Sequence, residues 1–366
     1  DEFDDVPPYK TDEVGKHRAP GAVASTGGAG GGLKWIGLLA ALVLVIGAVA
    51  WIISEFNGDD ETPTADTDDE QTAEETETEQ PDDDAEYDDE IVVDEDGEPA
   101  MINYQLLRRI ENPDFQTELA QFNIEFNLAP HELTGAVFEQ LTAELETSMA
   151  HAQRQARELD AHVVMVGILP TVEDLHVTIR SLSANRRYHL LNEQILEARG
   201  EDVQIDIEGE ERLTLHVPSI ALEAAATSVQ LHLQVDAEDV ARTWNAAQAI
   251  AAAQVAMGAN SPFLLGKQLW HETRIALFEQ IIDTRTEELT AQGVRPRVWF
   301  GDRWVRDAGE LFEENVRYFP ALLPLLEDED PESVLDRGGV PHLPELVLHN
   351  GTIYRWNRPI YAVARG

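Results

Sequence analysis

Phe122-Asn123-Ile124-Glu125-Phe126-Asn127-Leu128, closed by Ala129 and Pro130, alternates apolar and polar side chains without a break. A period of two places Phe122, Ile124, Phe126 and Leu128 on one face of a strand. Asn123, Glu125 and Asn127 fall on the other. One face is therefore built for a core and the other for water or a ligand, the pattern of an antiparallel sheet covered on one side. Working outward, 131–159 carries helical periodicity without an internal proline. Ile91–Asp94 reads as a strand before an EDGEP turn, and 162–171 (HVVMVGILPT) as a buried strand stopped at Pro170. Residues 203–217 predict two short strands around an EGEE turn, and 227–235 (TSVQLHLQV) another strand with Gln230, His232 and Gln234 on one face. Helical patterns at 237–256 and 268–290 flank a turn at Ala259–Pro262, and 351–364 reads as a last strand. Strands and helices alternate irregularly, without a G-x-G-x-x-G or Walker motif, so the expected class is α+β with an antiparallel sheet and flanking helices.

Upstream the composition changes twice. Residues 1–32 end in a Gly/Ala-rich run and read as a disordered arm. Residues 33–55 hold no charge from Trp35 to Ser54, with tryptophans near both ends. At about 1.5 Å per residue that length crosses a hydrocarbon core of roughly 30 Å, which predicts a transmembrane helix with the lipid bilayer as its partner. Lys10, Lys16, Arg18 and Lys34 precede the run, and no Lys or Arg follows before Arg108. The positive-inside rule then places the N-terminus in the cytoplasm and the remainder outside. Residues 56–90 are dominated by Asp, Glu, Thr and Pro and read as a solvated, disordered linker without EF-hand spacing. The globular domain is expected over 91–366.

The 366 residues carry a net charge of −44 and 43% hydrophobic residues. Residues 1–99 contain 29 acidic and 4 basic side chains, so the first quarter of the chain holds more than half of that charge. Such acidity excludes a nucleic-acid duplex as partner. The absence of cysteine excludes disulfides, thiolate metal sites and a cysteine nucleophile.

The chemistry-bearing residues fall into two sets. Glu125 with Asn123 and Asn127, Glu118 seven positions earlier, and Gln230 with His232 supply a carboxylate, amides and an imidazole from neighbouring strands, a donor set suited to Mg²⁺. The same residues also fit a face that simply looks at solvent. Arg274, in the helical stretch 269–280 (LWHETRIALFEQ) beside Asn260-Ser261-Pro262, either fixes a carboxylate or phosphate through a bidentate pair or forms a structural ion pair with Glu279 or Asp283.

These segments, FNIEFNLAP (122–130), VGILPT (166–171), TSVQLHLQV (227–235), 258–280 and HNGTIYRWNRPIYA (349–362), together resemble the glutamate–cysteine ligase family of ATP-dependent carboxylate–amine ligases. The resemblance spans about three-quarters of the chain, 91–366. It implies a glutamine-synthetase-like antiparallel sheet, with Glu125 on an N-x-E strand binding Mg²⁺ and Glu118 facing the metals. It further implies Gln230 and His232 as metal or nucleotide contacts on a T-x-Q-x-H strand, and Asn260, Ser261 and Arg274 as an N-S-P…R segment touching the amino-acid substrate or phosphates. The implied activity is amide formation through an acyl phosphate, with Mg²⁺ and ATP required and with glutamate and an amine or amino acid, cysteine among them, as substrates. Where the family pattern has a G-x-E-x-E strand this chain reads AEYDDEIVVD (85–94), leaving Asp88, Asp89 or Glu90 as the available acids. The chain also ends at Gly366 ahead of an E-x-R strand, so the resemblance leads to an incomplete sheet, truncated at both ends. Two functional readings follow: an active ligase, or a membrane-anchored pseudoenzyme or binding module of the cell envelope without turnover. An outward-facing domain conflicts with a need for ATP.

Overall fold

The computed structural model describes residues 86–324 and 329–362, all within the unit Thr64–Gly366. The expected arm, the apolar run 33–55 and the linker up to residue 85 lie outside the described residues. Among the described residues no helix is long and apolar enough to cross a membrane.

The architecture is a mixed α/β one around an antiparallel sheet. Strand β1 (Glu86–Asp94) is its centre and begins five residues earlier than the apolar run alone predicts. It pairs on one side with β3 (Asn123–Leu128), which pairs in turn with β2 (Phe115–Thr117). On its other side β4 (Ala161–Val164) covers Ile91–Asp94, and β7 (Val229–Gln230) covers Tyr87 and Asp88. One sheet face packs on α1 (Asn103–Ile110) and α2 (Val137–Arg157) through Val92, Ile124, Phe126 and Leu128. Ala152 and Ala156 on α2 are fully buried, and their small side chains bring that helix close to the strands. Gln153 of α2 accepts the outward Val163 amide of edge strand β4 at 2.9 Å, which satisfies a donor that would otherwise stay open.

On the opposite face Ile91 and Val93 enter a larger core with Phe122, Ile168 and Leu182. That core includes α3 (Arg186–Arg199) and the hairpin β5 (Val203–Glu208)–β6 (Arg212–Val217), whose turn sits where the EGEE reading places it. Asn185 caps α3 by accepting the Arg187 amide at 2.9 Å, and Gly200 ends it in the left-handed region. Asn103 ties the two sides of the sheet together. Its amide, 3% exposed, donates towards the carbonyls of Ala120 and Asn123 and the hydroxyl of Ser183, all within 3.0 Å.

Several expectations are corrected. The strand 162–171 ends at Val164, because the chain leaves the sheet to bring Gly167 against Asn260 and Arg274; only an isolated bridge joins Ile168 to Ala226. The strand 227–235 keeps its ladder only at Val229–Gln230. The helix expected from His131 starts at Val137, after Gly135 takes a positive φ. Helix α4 (Val240–Gly258) matches its pattern, but 268–290 is not continuous. A hairpin β8 (Phe263–Leu264)–β9 (Lys267–Gln268) turns at Leu265 and Gly266, both at positive φ, and is followed by α5 (Thr273–Ile281) and α6 (Glu287–Ala291). Residues 351–362 form no strand. They follow a short helix, Pro344–Asn350, as a turn and coil that bury Arg355 against Trp299, Glu314 and Asn315.

Candidate functional site

The polar residues of β3 share one face, and the ladder registers show what stands beside them. Glu125 is opposite Asp89 of β1 and Gln116 of β2. Asn127 is opposite Tyr87, which is opposite Gln230 of β7. Asn123 is opposite Ile91, where this face passes into the apolar core. The face is therefore divided along its length: apolar where Ile91 and Val93 are covered, polar where the sheet runs back towards Glu86. Of the three acids available on β1, Asp89 holds the register position of Glu125. Glu90 stands opposite Ile124, on the α1/α2 side, and is fully buried.

Asn123, 1% exposed, and Asn127 both present amide oxygens that are buried and have no hydrogen-bond partner among the described residues. They stand four residues apart along β3, roughly 13 Å, with Glu125 between them on the same face. Strands lie about 4.8 Å apart and successive same-face residues about 6.8 Å apart, so Glu125 and Gln230 are separated by roughly 12 Å between backbones. At that spacing the two residues stand at opposite corners of the polar half-face.

Glu118 lies just beyond β2, and the Tyr188 hydroxyl of α3 reaches its carboxylate at 3.4 Å and the Thr117 carbonyl at 2.9 Å. Its own carbonyl accepts from Ser183. His232 follows β7 by two residues and is half-buried.

The second set converges on one guanidinium. Arg274 is the second residue of α5 rather than a mid-helix residue. Its Nε and Nη2 donate to the two carboxylate oxygens of Glu272 at 2.6 and 2.7 Å, so its ion-pair partner is Glu272 and not Glu279 or Asp283. Nη1 donates to the Thr227 carbonyl at 3.0 Å, and Nη2 also reaches the Gly258 carbonyl at 3.2 Å. Ser261, fully buried, donates to Glu272 at 2.9 Å, and the Arg274 amide donates to the Ser261 hydroxyl. Thr227 bonds back to Val166 and Gly167 at 2.6 and 3.0 Å. VGILPT, TSVQLH, the Asn260–Pro262 turn and Arg274 therefore meet at one point, with Asn260 itself exposed. Sequence reasoning passed over Glu272. In a helix running from 268, residues two apart point to different sides. The helix begins at Thr273, and Glu272, with φ −127° and ψ 65°, turns its side chain onto Arg274.

A model of glutamate–cysteine ligase family 2 (GCS2) matches residues 77–307, more than half of the chain. The chain belongs to glutamate–cysteine ligase family 2. The GCS2 match contains β1, β3, β7 and Arg274, and it begins inside the acidic stretch ahead of β1. The R-W-N-R-P segment at 355–359 lies beyond its end. No curated protein matches the chain.

Proposed function

We propose that the protein is an ATP- and Mg²⁺-dependent carboxylate–amine ligase that activates the side-chain carboxylate of glutamate and joins it to an amine or amino acid, cysteine among the candidates. The observation that carries this reading is the polar half-face of the sheet, where Asn123, Glu125, Asn127 and Gln230 are brought together on strands of a family 2 chain. In this reading the sheet is of the glutamine-synthetase type.

The donor set fits a hard cation delivered by phosphates. The Glu125 carboxylate is an oxygen ligand of the kind Mg²⁺ prefers, with the Asn123 and Asn127 amides about 6.8 Å along the strand on either side of it, and one or two carboxylates suffice when phosphate oxygens complete the shell. Among the described residues no group of three or more Asp, Glu or His is placed to hold a metal by itself. Cation and nucleotide bind together in this account. When bound, Mg²⁺ neutralises phosphate charge and aligns the transferred group. The residues of the chain supply position. Glu125 and the β3 amides fix one end of the phosphates, Gln230 and His232 border the other, and Glu118 is held at the β2 end by Tyr188. The glutamate γ-carboxylate attacks the γ-phosphorus, ADP leaves, and the amine then displaces phosphate from the acyl phosphate. Catalysis of this kind is positioning and electrostatics, and needs no cysteine. Asn260, Ser261 and Arg274 border the amino-acid side of the site in this reading.

A second reading is a membrane-anchored pseudoenzyme or binding module that holds the nucleotide without turnover. We also take residues 33–55 as a bilayer anchor, on their composition alone; turnover with ATP then requires the domain to face the cytosol. ADP release by the full chain in detergent, with Mg²⁺, ATP, glutamate and a panel of amines, separates the readings. Amine-dependent ADP that Glu125→Gln abolishes supports the ligase. Mg·ATP binding without ADP supports the module.

A further inference from the structure

We propose that Glu272 is a positioning residue of this site, and that the Glu272–Arg274 pair is a latch setting where β7 lies rather than a clamp for substrate. This rests on the reading that Gln230 and His232 border the phosphates. The resemblance assigns Arg274 to a substrate anion, but the geometry leaves the guanidinium little to offer one. Both oxygens of Glu272 occupy its fork, at 2.6 and 2.7 Å, and its remaining partners are the Thr227 and Gly258 carbonyls. Glu272 is 5% exposed and also accepts from Ser261. Seizing a substrate carboxylate would strand that buried charge without its counter-ion, which is strongly unfavourable.

The chain segments joined by the pair explain what it does. Thr227 is three residues ahead of Gln230, and its hydroxyl and amide are fixed to Val166 and Gly167. Gly258 ends α4 and leads into the Asn260–Pro262 turn. A bidentate fork is rigid where a lysine would be a single flexible point, so the pair fixes Thr227 in direction as well as distance. β7 itself has a ladder only two residues long. Its placement therefore depends on the latch more than on sheet hydrogen bonds.

The test is a double-mutant cycle, Glu272→Gln, Arg274→Gln and both, on the full chain without substrates, read by amide hydrogen exchange. Each single variant is expected to speed exchange at 227–230 at least tenfold, with exchange at Ala152–Ala156 of α2 unchanged. The double variant is expected to be no faster than the faster single one. Single-variant effects that multiply in the double, or a Glu272→Gln protein with unchanged exchange at 227–230, would overturn the latch. Should Glu272→Gln speed exchange throughout α2 as well, Ser261→Ala takes its place, because it removes one donor to Glu272 and keeps the charge pair. About threefold faster exchange confined to 227–230 then supports the latch, and no local change overturns it. This readout is independent of turnover, so a chain that releases no ADP refutes the ligase reading and leaves the latch to be decided on its own. Where ADP is released, Arg274→Gln should lower kcat with the glutamate KM within about threefold; a KM increase beyond thirtyfold with kcat intact would restore the clamp.

Discussion

Gly167→Ala probes the packing on which the convergence of the motif segments depends. A Cβ at Gly167 would stand 2.9 Å from the Asn260 carbonyl oxygen and 3.1 Å from both Cζ and Nε of Arg274, whereas ordinary contact begins near 3.4 Å. The Asn260 oxygen belongs to the backbone. The guanidinium is held by Glu272 and two carbonyls, and swinging away would break those bonds. Relief of several tenths of an ångström must come from moving the 258–261 turn or breaking part of the pair. Overpacking of this kind costs about 1–3 kcal/mol, a factor of roughly 5 to 150 in the unfolding equilibrium. Urea unfolding of the wild-type, Gly167→Ala and Gly258→Ala proteins measures it, with Gly258→Ala as control. Nothing lies within 4 Å of a Cβ at Gly258, and alanine there at the helix end should be neutral or stabilising by up to about 1 kcal/mol. Equal midpoints for wild type and Gly167→Ala would refute the close approach of Arg274 to the Gly167 backbone.

Gly209→Ala should be more damaging, because its Cβ would meet the Leu269 backbone at 2.2 Å. A loss of about 3 kcal/mol or more is expected in thermal or urea unfolding, with the β5–β6 turn detached from the β8–β9 hairpin. Asn103→Leu leaves the Ala120 and Asn123 carbonyls and the Ser183 hydroxyl without their shared donor, and should cost about 3 kcal/mol in the same measurement. Asp206 is held at about 2 by hydrogen bonds from Arg212 and then Thr214. A depressed carboxylate contributes stability that is complete above its unfolded pKa near 3.8 and is lost as pH falls towards 2. NMR titration of the Asp206 carboxyl should give that low midpoint, and Arg212→Gln should return it towards the ordinary value.

The strand 123–128 was readable because a strict period of two has one structural solution, and its two faces serve as the alternation implies. The β5–β6 hairpin was legible for the same reason, and α4 through its long run of alanine and other helix formers without an internal proline or glycine. The misread stretches were those whose conformation is set by distant partners. HVVMVGILPT is apolar enough for a ten-residue strand, but Gly167 is needed against Asn260 and Arg274, and the chain turns out of the sheet to reach them. Residues 268–272 fit a helix by composition, and Gln268 is instead drawn into β9 opposite Phe263. For the site, residue types and spacing picked out Glu125 and Arg274 but not Glu272 as the partner, because that pairing depends on where α5 starts. The alignment of Asp89 with Glu125 likewise comes from register between strands, which spacing along one strand does not encode.

The central claim is that glutamate is activated as an acyl phosphate, and isotope transfer tests it most directly. Glutamate labelled with ¹⁸O in its side-chain carboxylate is turned over by the full chain with Mg²⁺, ATP and an amine, and the released phosphate is weighed by mass spectrometry. The account predicts one ¹⁸O in each phosphate, since the attacking carboxylate oxygen leaves with phosphorus when the amine displaces it. Phosphate carrying no label beyond background, alongside ongoing ADP release, would contradict it.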